Sequence, residues 1–268
     1  MNNSKMLKQR IFTAIVLIPI ILWVLTLSSQ TLASVMAIFV IIGAWEWAGL
    51  SNLIRSIYSL VFALTLLIIY YFLDEININY ILYIASLWWL IALYWILAYQ
   101  QNHNHIPTSP IVKALLGFII LIPAWIALLS LHNQQWLIFL LVLIWSADIG
   151  AYFTGKKWGQ KKLADKISPG KSWEGVAGAL FISLLVALSY AIFNSMPLMT
   201  LLGFMLLCFI TVIASIVGDL LESLFKRQAG MKDSSQILPG HGGVLDRIDS
   251  LTSAAPIFVL GLIIGNLL

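Results

Sequence analysis

Residues able to do chemistry are scarce in this chain of 268 and are gathered in one part of it: residues 148–249 hold ten of the 15 Lys and Arg and eight of the 11 Asp and Glu. The segment from Thr154 to Gly175, TGKKWGQKKLADKISPGKSWEG, sets six lysines against Asp165 and Glu174. That composition suits a polyphosphate; a basic loop lying on an anionic leaflet, at about 1 kcal/mol per cation, is the alternative. Gly170-Lys171-Ser172 echoes the end of a phosphate-binding P-loop, but that motif needs a glycine where Asp165 stands and a preceding strand. What remains is a glycine and proline turn delivering Lys171 and Ser172 to a helix N-terminus, where unpaired backbone N–H groups favour an anion.

A second group lies in SIVGDLLESLFKR, Ser215 to Arg227, where Asp219, Glu222, Ser223 and Lys226 fall on one helical face. Carboxylates inside an apolar helix are tolerated mainly when they meet a partner, a metal or a watery cavity. Glu222 has Lys226 one turn away, whereas Asp219 has no cation within four residues on its helix, which marks it for a site. A third group follows in KDSSQILPGHGGVLDRID, Lys232 to Asp249, where Asp246 and Asp249 are three apart with Arg247 beside them. Magnesium takes phosphate oxygens with one or two protein carboxylates, and Asp219 and Asp246 are the expected ligands, with room for a second cation. Lys171, Lys226, Arg227, Lys232 and Arg247 form the expected basic shell. His241, between two glycines, either donates to a phosphate or closes a turn. Asp148 precedes the lysine-rich segment and can face it, and Glu46, between Trp45 and Trp47, is expected to make an interhelix hydrogen bond. His103, His105 and His132 lie in polar connections and read as solvated, and the single cysteine, Cys208, reads as a packing residue.

The elements that must position these groups are membrane helices. With 61% hydrophobic and 10% charged residues and a mean hydropathy of +0.96, the chain falls outside the range of soluble domains and of disordered chains. Apolar runs able to cross about 30 Å of hydrocarbon number nine, at 11–27, 32–50, 57–73, 79–99, 112–130, 136–153, 173–193, 198–225 and 250–268. The alternating pattern of a membrane barrel is absent. The expected fold is therefore an all-α polytopic integral membrane protein. All 15 Lys and Arg fall at alternate connections, which places the N-terminus in the cytoplasm and the C-terminus outside. Residues 1–100 read as a transmembrane scaffold, 101–145 as a middle transmembrane region and 146–268 as the catalytic region with two cytoplasmic loops.

The string from Ser223 to Asp249, SLFKRQAGMKDSSQILPGHGGVLDRID, resembles the signature of the phosphatidate cytidylyltransferases, or CDP-diacylglycerol synthases. The matching positions are Ser223, Lys226-Arg227, Lys232-Asp233, Ser235, Pro239, His241-Gly242-Gly243, Asp246-Arg247 and Asp249, and SPGKSWEG (168–175) and SADIGAY (146–152) are similar to that family as well. The resemblance implies a magnesium-dependent enzyme of phospholipid synthesis, multi-pass in a cytoplasmic (inner) membrane. It would take CTP and phosphatidate, release pyrophosphate, and contact membrane lipids but no nucleic acid; a homodimer is compatible with it. Under it Asp219, Asp246, Lys226 and Arg227 would be catalytic, and Lys171, Ser172, Ser223, Lys232, Asp233, His241, Arg247, Asp249 and Asp148 would bind substrate. Two alternatives use the same residues: a CTP-dependent polyprenol or lipid kinase, and an ion-coupled transporter working through Asp148, Asp219 and Glu46. An inventory of many cations, few acids and no Ser-His-Asp arrangement fits transfer between polyanions.

Overall fold

A computed structural model of the chain describes residues 23, 24 and 28–268, except 74, 104, 105, 132 and 133. The apolar run at 11–27, the cations Lys5, Lys8 and Arg10, and His105 and His132 lie outside the described residues or almost wholly so. The other eight expected spans are all present as helices: α1 (Ser29–Leu50), α2 (Arg55–Tyr71), α3 (Ile78–Gln100), α4 (Pro110–Ser130), α5 (Gln134–Trp158), α6 (Trp173–Phe193), α7 (Leu198–Gln228) and α8 (Leu245–Ile264). Seven are long and apolar enough to cross a membrane. The eighth, α2, has 17 residues, about 26 Å at 1.5 Å per residue, the short end of a spanning helix. The protein is an all-α polytopic membrane protein.

The hydropathy reading differs at three places that matter for the charged segments, the first being α5, which runs to Trp158 rather than 153 and so takes Lys156 and Lys157 into the helix. The last helix starts at Leu245 rather than 250, so Asp246, Arg247 and Asp249 stand on its first turns and not in a loop. The turn before α6 is a small antiparallel hairpin, β1 (Lys162–Ala164) paired with β2 (Ser168–Ser172). Its strands are too short to show an alternating pattern, and side chains around it complete the hydrogen bonding. Lys162 Nζ donates to Pro169 O at 2.7 Å, and Glu174 accepts from Lys161 N at 3.2 and 3.3 Å. Ser172 caps α6 by accepting from Gly175 N at 3.1 Å, which satisfies an N–H that helix geometry leaves without a partner.

Helices in lipid gain little from excluding water, so close packing and hydrogen bonds hold them together. One buried cluster joins α1, α2, α3, α4 and α7 around Trp47, Phe62, Trp125 and Phe225. Trp47 Nε1 donates to Lys113 O and Tyr58 Oη to Ala114 O, both at 2.8 Å, across the space left by Gly117. A second cluster joins α5–α8 through Trp136, Phe139, Phe204 and Phe258, whose rings lie 5.2–6.1 Å apart. There Ser253 Oγ donates to Ala214 O at 2.7 Å, beside Gly218, which brings α8 against α7 one residue before Asp219. The C-terminal ends of α1, α3, α5 and α7 and the N-terminal ends of α2, α4, α6 and α8 therefore share one end of the bundle, and every described Lys and Arg lies at that end.

Candidate active site

Charged side chains of α7 at this end make two neighbouring groups of ion pairs, one with the hairpin and one with α8. Lys171, delivered by β2, pairs with Asp219 of α7 at 2.6 Å, so the acid without a cation on its own helix finds one on the hairpin. Lys226, one turn beyond Glu222, lies 3.1 Å from Glu222 and 2.6 Å from Asp246 of α8. All three of these side chains are nearly inaccessible to solvent. Ser223 Oγ donates to Asp219 Oδ1 at 3.3 Å. Asp148 on α5 feels the charges of Asp219, Lys171 and Arg247, and Asp249 on α8 feels those of Asp219, Lys226 and Lys171. Five acids, Asp148, Asp219, Glu222, Asp246 and Asp249, and three cations, Lys171, Lys226 and Arg247, are thus within electrostatic reach of one another.

Two cavities open beside the cluster. One, of about 170 Å³, is lined by Asp148, Lys171, Ser172, Asp219 and Ser250 together with the small residues Gly155, Gly170 and Gly175. Gly155 of α5 and Gly175 of α6 leave it room, since neither places a side chain in it. The other, of about 190 Å³, lies between α1, α4, α5 and α8 and is lined almost wholly by apolar side chains such as Met36, Phe39, Leu128 and Leu141. Among the described residues its one charged lining residue is Arg247, whose field also reaches Asp148 in the first cavity although Arg247 does not line that cavity.

Of the residues singled out by sequence, Asp148, Lys171, Ser172 and Asp219 line the polar cavity, whereas Ser223, Lys226, Asp246, Arg247 and Asp249 lie outside its lining, as do four others. Arg227 is exposed and braces the hairpin, with Nε donating to Ile167 O at 3.1 Å. Lys232 and Asp233 are exposed on the connection between α7 and α8. His241 closes a tight turn through its backbone, donating to Leu238 O at 2.9 Å while Gly240 and Gly242 adopt positive φ. A side chain on Gly242 would come within 2.6 Å of Asp246 Oδ2, so that turn admits only glycine. His103 is exposed, as expected for a polar connection.

Asp246 is the most heavily engaged acid. Its Oδ1 takes Lys226, while Oδ2 accepts from Ser234 N and Oγ, both at 2.9 Å, and from Gly243 N at 2.7 Å. Glu46 reaches the same place from α1, accepting from Val244 N at 3.0 Å, Leu245 N at 2.6 Å and the hydroxyls of Ser234 and Ser235. An interhelix hydrogen bond was the expectation for Glu46; its belonging to the shell of the site was not. Ser234 was missed altogether, and its only sequence signal was its place within the third polar segment.

These features define a polytopic membrane protein with a mixed-charge site at one end of its helices, where a polar cavity lies near an apolar one whose lining includes an arginine. Sequence relationship narrows that class. The model of the cytidylyltransferase family matches residues 8–264, and the chain belongs to that family. It is 44% identical to the phosphatidate cytidylyltransferase of Pseudomonas aeruginosa, over 94% of this chain and 96% of that one. It is 38% identical to the phosphatidate cytidylyltransferase of Haemophilus influenzae, over 94% and 97%. A protein of the same name from Bacillus subtilis is 41% identical over 48% of this chain and 47% of its own.

Proposed function

We propose that the protein transfers the cytidylyl group of CTP to phosphatidate, forming CDP-diacylglycerol and pyrophosphate. The observation that carries this reading is a polar cavity at Asp148, Lys171 and Asp219 near an apolar cavity whose one arginine, Arg247, acts on Asp148 through its charge, in a chain whose relatives over 94% of its length bear that name. The polar cavity suits the nucleotide's phosphates. The apolar one suits an acyl chain, with Arg247 at the lipid phosphate.

A phosphate monoester has its second pKa near 6, so at pH 7 phosphatidate is largely a dianion and needs no strong base. One of its oxygens attacks the α-phosphorus of CTP, the bond from that phosphorus to the bridging oxygen of the β-phosphate breaks, and pyrophosphate leaves. No proton has to be taken from the nucleophile. The barrier lies in bringing two polyanions together and in the charge that builds on the leaving group. Lys171 and Lys226 are long, flexible cations held on Asp219 and Asp246, and each can exchange its carboxylate for a substrate phosphate. Arg247 aligns the lipid phosphate, and Ser223 orients Asp219.

A magnesium site recruits only one or two protein carboxylates and completes its shell with phosphate and water, and among the described residues no three His, Cys, Asp or Glu are grouped to hold a metal by themselves. Asp219 and Asp246 are the acids that would hold magnesium once their lysines turn to phosphate. Magnesium, when bound, would neutralise charge on the β- and γ-phosphates. The site faces the cytoplasm of a bacterial inner membrane in this reading, because CTP is cytosolic and positive charge is retained on that side.

The test is purified protein with CTP, phosphatidate and a magnesium titration, followed by solvent extraction. A cytidine-containing lipid should enter the organic phase in step with aqueous pyrophosphate. Solute flux in sealed vesicles with no CTP consumed would replace the enzyme with a transporter.

A further inference from the structure

Glu46 has the surroundings of an anchor, not of a packing residue. It is fully buried on α1, and no cation pairs with it among the described ion pairs. Its charge is met instead by three donors, and by Ser234 Oγ when that hydroxyl's one hydrogen turns from Asp246. Oε1 accepts from Ser235 Oγ and from Val244 N at 3.0 Å, and Oε2 from Ser234 Oγ at 3.3 Å and from Leu245 N at 2.6 Å. Val244 and Leu245 begin α8, whose first N–H groups would otherwise lack partners and carry the positive end of the helix dipole. The carboxylate of α1 thus caps a helix about two hundred positions further along the chain.

Asp246 is tied into the same arrangement. Ser234 Oγ lies within hydrogen-bond distance of Glu46 Oε2 and of Asp246 Oδ2, and Gly243 N donates to Asp246 at 2.7 Å. Residues 243, 244 and 245 therefore divide their amides between the two carboxylates. Any side chain on Gly243 would collide with both Ser234 Oγ and Glu46 Oε1, so the network closes only around that glycine.

We infer that Glu46 is a positioning residue: it fixes residues 234–235 and the first turn of α8, and through Ser234 it sets the Asp246 carboxylate and the Lys226 ammonium for cytidylyl transfer. The kinetic part of this inference rests on the proposed reaction. The structural part does not.

Glu46→Gln keeps the shape of the side chain but turns an NH2 group toward two donors, one of them a backbone N–H that cannot reverse. Glu46→Gln should lower kcat on the order of 10²-fold, the effect of a small misplacement near the reacting atoms, with KM for CTP changed by less than about threefold. Hydrogen exchange should speed up at residues 234–246 and stay unchanged in α5 and α6. Ser234→Ala should also slow turnover, and the double variant should be no slower than the worse single one, because both act through Asp246. Unchanged kcat and exchange in Glu46→Gln would overturn the inference. So would a uniform rise in exchange across the helices with additive effects of the two substitutions, which would make Glu46 a general packing residue. If the wild-type protein formed no CDP-diacylglycerol, the proposed reaction would fall, while the exchange result would still decide whether Glu46 holds the start of α8.

Discussion

Lys226 shows how a residue's role changes once its neighbours are known. In the sequence it reads as a phosphate anchor; in the structure it is the ammonium shared by two buried carboxylates, Glu222 and Asp246. Removing one partner of a buried ion group leaves charge without compensation, a loss of about 3–5 kcal/mol. Lys226→Ala is therefore expected both to abolish turnover and to lower thermal stability in detergent. A second substitution separates the two effects. Lys226→Met with Glu222→Gln and Asp246→Asn removes the stranded charges, and it should recover much of the melting temperature while remaining inactive. Asp219 behaves differently, since both it and Lys171 are partly exposed and their pair adds only about 0–1 kcal/mol of stability. Asp219→Asn should keep its melting temperature within a few degrees, lose turnover by orders of magnitude and shift or abolish the magnesium dependence. Near-native turnover with an unchanged magnesium titration would remove Asp219 from the metal site.

At the scale of elements, the pair α5 and α6 decides whether the polar cavity exists. A Cβ on Gly150 would meet the carbonyl of Gly178, and one on Gly178 would meet the side chain of Thr154, which itself donates to Gly150 O at 2.7 Å. Backbone cannot give way as a flexible side chain can. Gly150→Ala is expected to cost about 1–3 kcal/mol by overpacking and to slow turnover by moving Asp148 away from Lys171. Gly203→Ala in α7, where an added Cβ meets nothing within 4 Å, is the control and should leave the melting temperature unchanged or slightly raised. The same elements show what was legible beforehand. Hydropathy places α6 at its observed bounds and most other helices within three residues, because a spanning helix is a local signal of length and apolarity. It misplaces the start of α8, because Asp246, Arg247 and Asp249 look like loop residues until Lys226 pairs with Asp246 and Glu46 caps the helix at Val244 and Leu245. It misses the hairpin, because Lys162–Ala164 and Ser168–Ser172 hold together through backbone pairing and Glu174 rather than through an apolar pattern. Asp219, Lys226 and Asp246 are visible as isolated charges in or beside apolar runs; the pairing of Asp219 with Lys171 is a long-range contact that no spacing encodes.

For the whole molecule, topology and reaction have to agree, since a cytosolic nucleotide can reach only one face. The alternation of the helices puts Lys161 and Lys232 on one side and Glu75 and Ser195 on the other. In a Cys208→Ser background, single cysteines at 161 and 232 should resist an impermeant reagent applied to intact cells, while those at 75 and 195 should react. Labelling of position 161 from outside would invert the orientation. The central claim is tested most directly with CTP carrying distinguishable labels on its α- and γ-phosphates, incubated with the purified protein, phosphatidate and magnesium. The account requires the α label in the extracted lipid and the γ label in released pyrophosphate, in equal amounts. Recovery of the γ label in lipid, with CDP as the other product, would contradict it and make the protein a lipid kinase.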